Sequence, residues 1–326
     1  MRPFALLAAV PLLALAACGG GDDDATADAA TAEPTGGGDS GTVADATGDG
    51  STTTAVVVTV APGVCEDEPD PADYPEGAIP PAIPPCEQPE ELVVHTIRPG
   101  MGRTAEDGNT VIVDYTGMRS EDGLVFDSSY TRAAPLDFPL GRGSVIRGWD
   151  EGLAGAQAGS LLKLDIPTEL AYGDQPPGDD IQPGDDLSFV IEVRAVVPSV
   201  TADDAPLDLG LEPSVGATEV TTEDRVVGDG AVVEAGDTAI VHVLLVRGDN
   251  EVVLLNTWER DDPLQIVIDE GGSLPGIVEG LEGATVGTLR VIRMPPESAF
   301  GPDGEVGLGL PPDTDLIVVA EVVGVY

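Results

Sequence analysis

Between Leu92 and Val197 apolar and polar positions alternate in short runs, "LVVHTI", "TVIVDYTG", "LDFPLG", "LLKLDIP" and "LSFVIEVRAVV", separated by clusters of Gly, Pro and Asp. Alternation with a period of two, bounded by turn residues, predicts strands of a half-buried antiparallel sheet. In the last run Leu187, Phe189, Ile191 and Val193 share one face, and Ser188, Glu192 and Arg194 point the other way. From Gly148 to Gln157 the period changes, and Trp149 and Leu153, four apart, predict one side of a short amphipathic helix. One helix packed on one sheet makes an α+β unit over about residues 92–198.

The pattern then repeats. "GLAGAQAG" at 152–159 matches "GLEGATVG" at 280–287, and "AYG" at 171–173 recurs as "AFG" at 299–301, both at an offset of 128. "VIVDY" answers "AIVHV", and "LSFVIEVRAV" answers "LIVVAEVVGV". Residues 199–205 read as a linker and 206–326 as a second unit of the same fold. His95 and His242 each fall inside an alternating run, with no Cys, Asp or Ser at a catalytic spacing, and are read as ordinary strand histidines.

Composition separates these units from what precedes them. The 326 residues include 42 Gly and 29 Pro and carry a formal charge of −45, with only 14 basic side chains, of which Lys163 is the single lysine. Such a surface repels phosphate backbones and anionic headgroups, so nucleic acid is excluded as a partner class. Residues 19–54 contain no Leu, Ile or aromatic side chain and cannot bury a core. As a flexible coil of about 36 residues this tether spans roughly 30–35 Å. Val56–Val60 is a candidate strand.

The N-terminus pairs Arg2 with an apolar stretch from Phe4 to Ala17, then reaches Cys18 and a Gly run. That is the layout of an export signal over residues 1–17; the stretch falls short of the roughly 20 apolar residues a membrane span needs. "LAAC", Leu15 to Cys18, resembles the bacterial lipobox, which implies cleavage before Cys18, lipidation of its thiol, an acidic tether over 18–54, and attachment to the extracytoplasmic membrane face through that lipid only. Cys65 and Cys86 remain, and export permits a disulfide between them; two free thiols or a metal site are the competing readings, the latter poor without a nearby histidine. The segment they bound, within residues 55–91, is so rich in Pro and acid that it is expected to build no core.

Seven of the twelve aromatic residues lie between Tyr115 and Phe189: Tyr115, Phe126, Tyr130, Phe138, Trp149, Tyr172 and Phe189. Core filling is the bland explanation. Against it, the second repeat supports the same pattern with Val243, Leu255, Ile277, Phe300 and Val318 where the first uses Tyr115, Phe126, Trp149, Tyr172 and Phe189. Rings with polar edges suit a cavity that is apolar with a few oriented donors.

"VDYTGM" at 113–118, "FDSS" at 126–129, "VIRGWDEGL" at 145–153 and "AYG" at 171–173 together resemble the FKBP-type peptidyl-prolyl cis/trans isomerases. The resemblance covers residues 92–198 strongly and 206–326 faintly. It implies two α+β domains, each a twisted antiparallel sheet wrapped on a short helix, with a proline pocket between sheet and helix. Carried over by position, Trp149 is the floor, Tyr115, Phe126 and Phe189 the walls, and Val145 with Ile146 the upper edge. Tyr172 and the Ile146 N–H are hydrogen-bond donors, and Asp127 holds a polar contact. Tyr115, Asp127, Trp149 and Tyr172 are the catalytic candidates; Phe126, Leu136, Phe138, Val145, Ile146, Ile181 and Phe189 complete the substrate site. Leu136 stands where many members carry an aromatic residue, and Asp180 where an apolar lip is common. The acidic loop 174–186 lacks the regular calcium-loop spacing, so solvated charge is the favoured reading over calcium.

The implied reaction needs no metal or cofactor. The resemblance implies proline-containing polypeptides as partners, here exported clients, and binding of macrolide immunosuppressants. "LLNTW" at 254–258 stands where "VFDSS" stands in the first repeat, so Asn256 is expected to replace Asp127, and the second repeat reads as a degenerate copy in which Trp258 is a packed or semi-exposed ring. The alternative classes are a noncatalytic chaperone or envelope interaction module that grips proline-rich segments, and a purely structural envelope protein.

Overall fold

The structure, a computed structural model, describes residues 65–75, 78–132, 134–269 and 271–326. The signal segment, Cys18, the tether and the Val56–Val60 strand lie outside the described residues.

In the first repeat β1 (Val93–Arg98), β2 (Thr110–Arg119), β3 (Val125–Ser128), a one-turn helix α1 (Ser129–Arg132), β4 (Leu136–Pro139), α2 (Arg147–Gly152), β5 (Leu161–Ile166) and β6 (Leu187–Val197) follow in order. The strands form one sheet ordered β1-β5-β6-β2-β3, with β4 also paired to β2, and all its pairings are antiparallel. The second repeat supplies β7 (Thr221–Val226), β8 (Thr238–Arg247), β9 (Val253–Asn256), β10 (Leu264–Val267), α3 (Pro275–Leu281), β11 (Leu289–Met294) and β12 (Leu316–Val325). Read from the other end, its sheet has the same order: β7-β11-β12-β8, with β9 and β10 both on β8.

Each helix lies close against one strand, and paired glycines allow the approach. A Cβ on Gly148 would stand 2.4 Å from Ile166 Cγ2, and one on Gly152 2.7 Å from Leu164 Cδ2. Gly276 and Gly280 meet Met294 and Ile292 in the same way, at 2.9 and 2.6 Å. The predicted helix over Gly148–Gln157 is shorter than expected. It ends at Gly152, where the Leu153 N–H caps Trp149 O, because Gly155 turns the chain at φ 83° and Gln157 bridges to Thr104. The packing half of that expectation holds, since Trp149 and Leu153 both belong to the core.

The expectation of a sheet wet on one side fails for the central strands of both repeats, while edge strand β7 is exposed along its whole length. β2 is buried at eight consecutive positions, Val111 to Met118, and β8 likewise from Ala239 to Val246. The reason is a chain segment laid over each outer face. The proline-rich segment after Cys65, expected to build no core, places Tyr74, Ala82 and Ile83 against Ile97, Met118, Leu161 and Val190. Acid and proline elsewhere in that segment do not prevent three apolar side chains from finding one patch. Residues Val200, Ala205, Leu209 and Leu211, from the expected linker and just beyond, cover Leu244, Val246, Trp258, Val291, Ile317 and Val319 of the second sheet.

The two sheets meet through Ile112, Ala195 and Val197 on one side and Ile240 and Val323 on the other. Ile112 and Ile240 are equivalent positions at the 128 offset, so the repeats meet through corresponding ends of their sheets.

Candidate active site

Trp149 sits in the first turn of α2 and points into the first repeat's sheet, where Tyr115 of β2 and Phe189 of β6 share the inner face. Its ring meets Tyr115 at 5.1 Å and 84° and Phe189 at 5.2 Å and 87°; Phe126 meets Phe189 at 5.7 Å and 84°. These are the edge-to-face arrangements that aromatic quadrupoles prefer. Phe138 packs on Trp149 at 5.7 Å.

Exposure is graded across this cluster. Trp149, at 3 %, and Tyr115, Phe138 and Phe189 are buried, whereas Phe126, Leu136, Val145, Ile146 and Tyr172 form a half-buried rim. Ile181, expected at the lip, is only 5 % exposed and belongs to the packed cluster, while its neighbours Asp179 and Asp180 face solvent. The rim therefore carries most of the accessible surface, and the floor very little.

Polar groups at the rim fall into two sets. The Asp127 carboxylate accepts from the Tyr115 hydroxyl and pairs with Arg132, whose Nη2 in turn donates to Tyr115 Oη at 2.8 Å. The guanidinium carbon lies 5.6 Å from the Tyr115 ring centroid. Burial, reinforced by the hydrogen bond to Asp127, pushes the Tyr115 hydroxyl up to about 12, so it remains a donor at any physiological pH. Sequence reasoning missed Arg132. Its signal was the spacing "DSSYTR": the single turn of α1 brings a side chain five residues on back to Asp127.

The second set is unpaired. The Ile146 N–H, at the helix N-cap, and the Tyr172 hydroxyl donate to no described residue. Burial raises the Tyr172 pKa, helped by the Asp127 charge, so it too stays protonated. Trp149 Nε1 is buried without a partner. All eleven predicted catalytic and substrate-binding residues are thus collected at one place: ten in the aromatic cluster or packed against it, and Asp127 through the Tyr115 hydroxyl. Among the described residues no three His, Cys, Asp or Glu side chains converge as a metal site requires.

Corresponding side chains of the second repeat carry none of these polar groups, while the Leu274 N–H at the α3 N-cap matches that of Ile146. Ile277 meets the α3 N-cap as Trp149 meets that of α2, each N–H reaching the carbonyl three residues back at 2.9 Å. Val243, Ile277 and Val318 are all buried in an aliphatic core, with Phe300 packed against it. The strand register corrects one expectation. Gly117 pairs with Asp127, and Leu245, its equivalent, pairs with Leu255, so Leu255 replaces Asp127. Asn256 answers Ser128 and Leu254 answers Phe126, a shift of one residue that the matching side-chain bonds Ser129 Oγ to Tyr115 N–H and Thr257 Oγ1 to Val243 N–H confirm at 2.9 and 2.8 Å. Trp258 is fully packed and lies against buried His242 at 5.1 Å.

Two repeats of one α+β fold, the first with an aromatic cluster, a ring-bound carboxylate and free donors at its rim, define a two-domain protein whose repeats differ at one corresponding place. The family described as FKBP-type peptidyl-prolyl cis-trans isomerase matches residues 102–194 and 230–323. The chain belongs to that family. It is 44% identical over 111 residues to an FK506-binding protein of Streptomyces anulatus, covering 34% of this chain and 90% of that protein. With an FK506-binding protein of Neisseria meningitidis serogroup A it shares 42% identity over 105 residues, covering 32% and 95%. With the FKBP-type peptidyl-prolyl cis-trans isomerase FkpA of Escherichia coli it shares 44% over 116 residues, covering 35% of this chain and 41% of that protein. The crystal structure of FkpA aligns with a TM-score of 0.30 at 42% identity, covering 33% of this chain and 48% of that one.

Proposed function

We propose that the first repeat accelerates rotation about Xaa-Pro bonds of exported polypeptides at the Trp149 cluster, and that the second repeat is a noncatalytic copy. The carrying observation is the pair of unsatisfied donors, the Ile146 N–H and the Tyr172 hydroxyl, beside an aromatic floor. A peptide bond resists rotation by roughly 18–20 kcal/mol because resonance places charge on its oxygen, a charge that water stabilises. Bringing the bond against Trp149, Phe126 and Phe189 removes that water, and the twisted transition state, less delocalised, loses less by it. The two free donors hold the carbonyl while the prolyl ring turns. Arg132 and Tyr115 fix the Asp127 carboxylate at the rim. The catalytic set is Tyr115, Asp127, Trp149 and Tyr172.

The extracytoplasmic setting rests on the export signal and on Cys18 as lipid anchor, read from the sequence, and the Cys65–Cys86 disulfide is in keeping with it. Relatives named FK506-binding proteins support macrolide binding at the same rim. For the second repeat, the loss of every polar group at Val243, Leu255, Ile277 and Phe300 favours packing or chain holding over catalysis. Exchange spectroscopy on an Xaa-Pro peptide with the full chain tests the reading. Faster cis/trans exchange, inhibited by a macrolide of the FK506 class, is expected; an unaltered exchange rate, with client aggregation still suppressed, would establish the chaperone alternative instead.

A further inference from the structure

Lys163, the chain's single lysine, has 0 % of its side chain exposed, an unusual place for an ammonium group. It lies on the outer face of β5, opposite the aromatic cluster. Its Nζ donates to the Glu66 carbonyl at 3.0 Å and pairs with Asp165 at 3.4 Å. Asp165 accepts from Ser188 Oγ at 2.6 Å, and Ser188 contacts Ser120 Oγ at 2.8 Å. Glu66 is held in turn: its carboxylate accepts from the Tyr74 hydroxyl at 2.7 Å, and its N–H donates to Pro84 O at 2.9 Å. Glu66 directly follows Cys65, which is bonded to Cys86.

Among the described residues, the Glu66 carbonyl that meets Lys163 Nζ from outside the sheet belongs to the arm the disulfide closes. That arm adds no strand to the sheet. Prolines 80, 81, 84 and 85 lack an N–H, and among the described residues no backbone bond joins residues 65–86 to a sheet strand. What holds it is the burial of Tyr74, Ala82 and Ile83, the Lys163 contact, and the covalent bond. Both cysteines are exposed, so a reductant can reach them. The covering segment of the second repeat contains no cysteine; Ser199 and Val200 fasten it to Asp261 at 2.6 and 2.9 Å.

We infer that the Cys65–Cys86 disulfide is a release latch: bonded, it holds the arm over Lys163 and the apolar outer face, and reduced, it lets the arm lift away from both. The reductant is a dithiol. Its thiolate attacks one sulfur of the pair, the other cysteine leaves as a thiolate, and the second reagent thiol closes a ring disulfide. Two electrons and two protons end on Cys65 and Cys86, and the reagent departs oxidised. The latch acts on the sheet face opposite the isomerase cluster and does not depend on the catalytic reading.

The single lysine makes the test direct. The full chain is treated with an amine-acetylating ester before and after dithiothreitol, and acetylation at Lys163 is followed by peptide mass spectrometry, alongside amide hydrogen exchange in β2 and β6. A Cys86→Ser chain without reductant serves as the second arm. Lys163 is expected to be protected when the bond is intact. Releasing a loop of 21 residues should raise its acetylation on the order of a hundredfold, in reduced chain and variant alike, with β2 and β6 protection kept. Unchanged acetylation after complete reduction would overturn the latch, and so would fast acetylation of the bonded chain. A rise that coincides with lost β6 protection would also overturn it, because the bond would then support the whole domain and not the arm.

Discussion

Gly117 of β2 lies directly across the ladder from Phe189 of β6, so close that a Cβ on Gly117 would stand 2.6 Å from Phe189 Cε1 and 2.9 Å from Phe126 Cζ. Two rings occupy the space its missing side chain leaves. At the same ladder position in the second repeat Leu245 faces Val318, and a leucine fills that volume. One exchange, glycine with two phenylalanines against leucine with valine, separates an aromatic site from an aliphatic core.

Gly117→Ala should therefore displace Phe189 and Phe126, cost about 1–3 kcal/mol of stability by overpacking, and lower the isomerase rate at least tenfold. Leu245→Ala should cost about 2–5 kcal/mol by opening a cavity and leave the rate unchanged. Denaturant titration with an Xaa-Pro exchange assay separates the two effects.

Asp127→Asn keeps the shape at the rim but removes the charge that Arg132 and the Tyr115 hydroxyl share. The Arg132 and Asp127 side chains are 47% and 39% exposed, so losing their pairing should cost no more than about 1 kcal/mol of stability, while the displaced rim should lower kcat/KM roughly ten- to hundredfold. Trp149→Ala should abolish activity, whereas Phe300→Ala should leave it nearly intact. Equal losses from Trp149→Ala and Phe300→Ala would mean that both repeats catalyse.

All five tyrosines, Tyr74, Tyr115, Tyr130, Tyr172 and Tyr326, have pKa values raised above the ordinary phenol value of 10.0, burial being the largest cause in each. Absorbance at the tyrosinate band should show little ionisation in the native chain at pH 10, where the unfolded chain is half ionised. A phenol whose pKa is higher when folded stabilises the fold fully below the unfolded value and loses that contribution as pH climbs through the folded one. For Tyr115 this window runs from about 10 to about 12. Native and unfolded titration curves that coincide would contradict the burial of these hydroxyls.

Lys163→Met leaves Asp165 buried without its cation and should cost about 3–5 kcal/mol. Adding Asp165→Asn, which removes the orphaned charge, should recover a large part of that loss in a denaturant titration. A neutral single variant would mean that water already reaches the pair.

Much of the first repeat was legible because its signals are local. Alternation marked β1, β2, β4, β5 and β6, and the short motifs collected the aromatic rings and Asp127. β3 was missed as a strand because two adjacent apolar residues, Val125 and Phe126, followed by two polar ones break the period of two, whereas the equally short β4 keeps it. Asn256 was misassigned because "LLNTW" offers no local mark of register; only pairing against β8 separates Asn256 from Leu255. Arg132 was missed for a related reason, since its partner is chosen by a turn of helix and not by a motif.

By itself the sequence determined the strand periodicity, the twofold repetition, and which repeat owns the rings, because each depends on side chains a few positions apart. Tertiary structure alone decided that a proline-rich, acidic arm joins the core and buries the single lysine. It also decided that the central strands of each sheet are covered on both faces and that one glycine admits two phenylalanines. These outcomes turn on surfaces brought together from distant parts of the chain, and burial there is settled by what covers a residue, not by the residue's own neighbours in sequence.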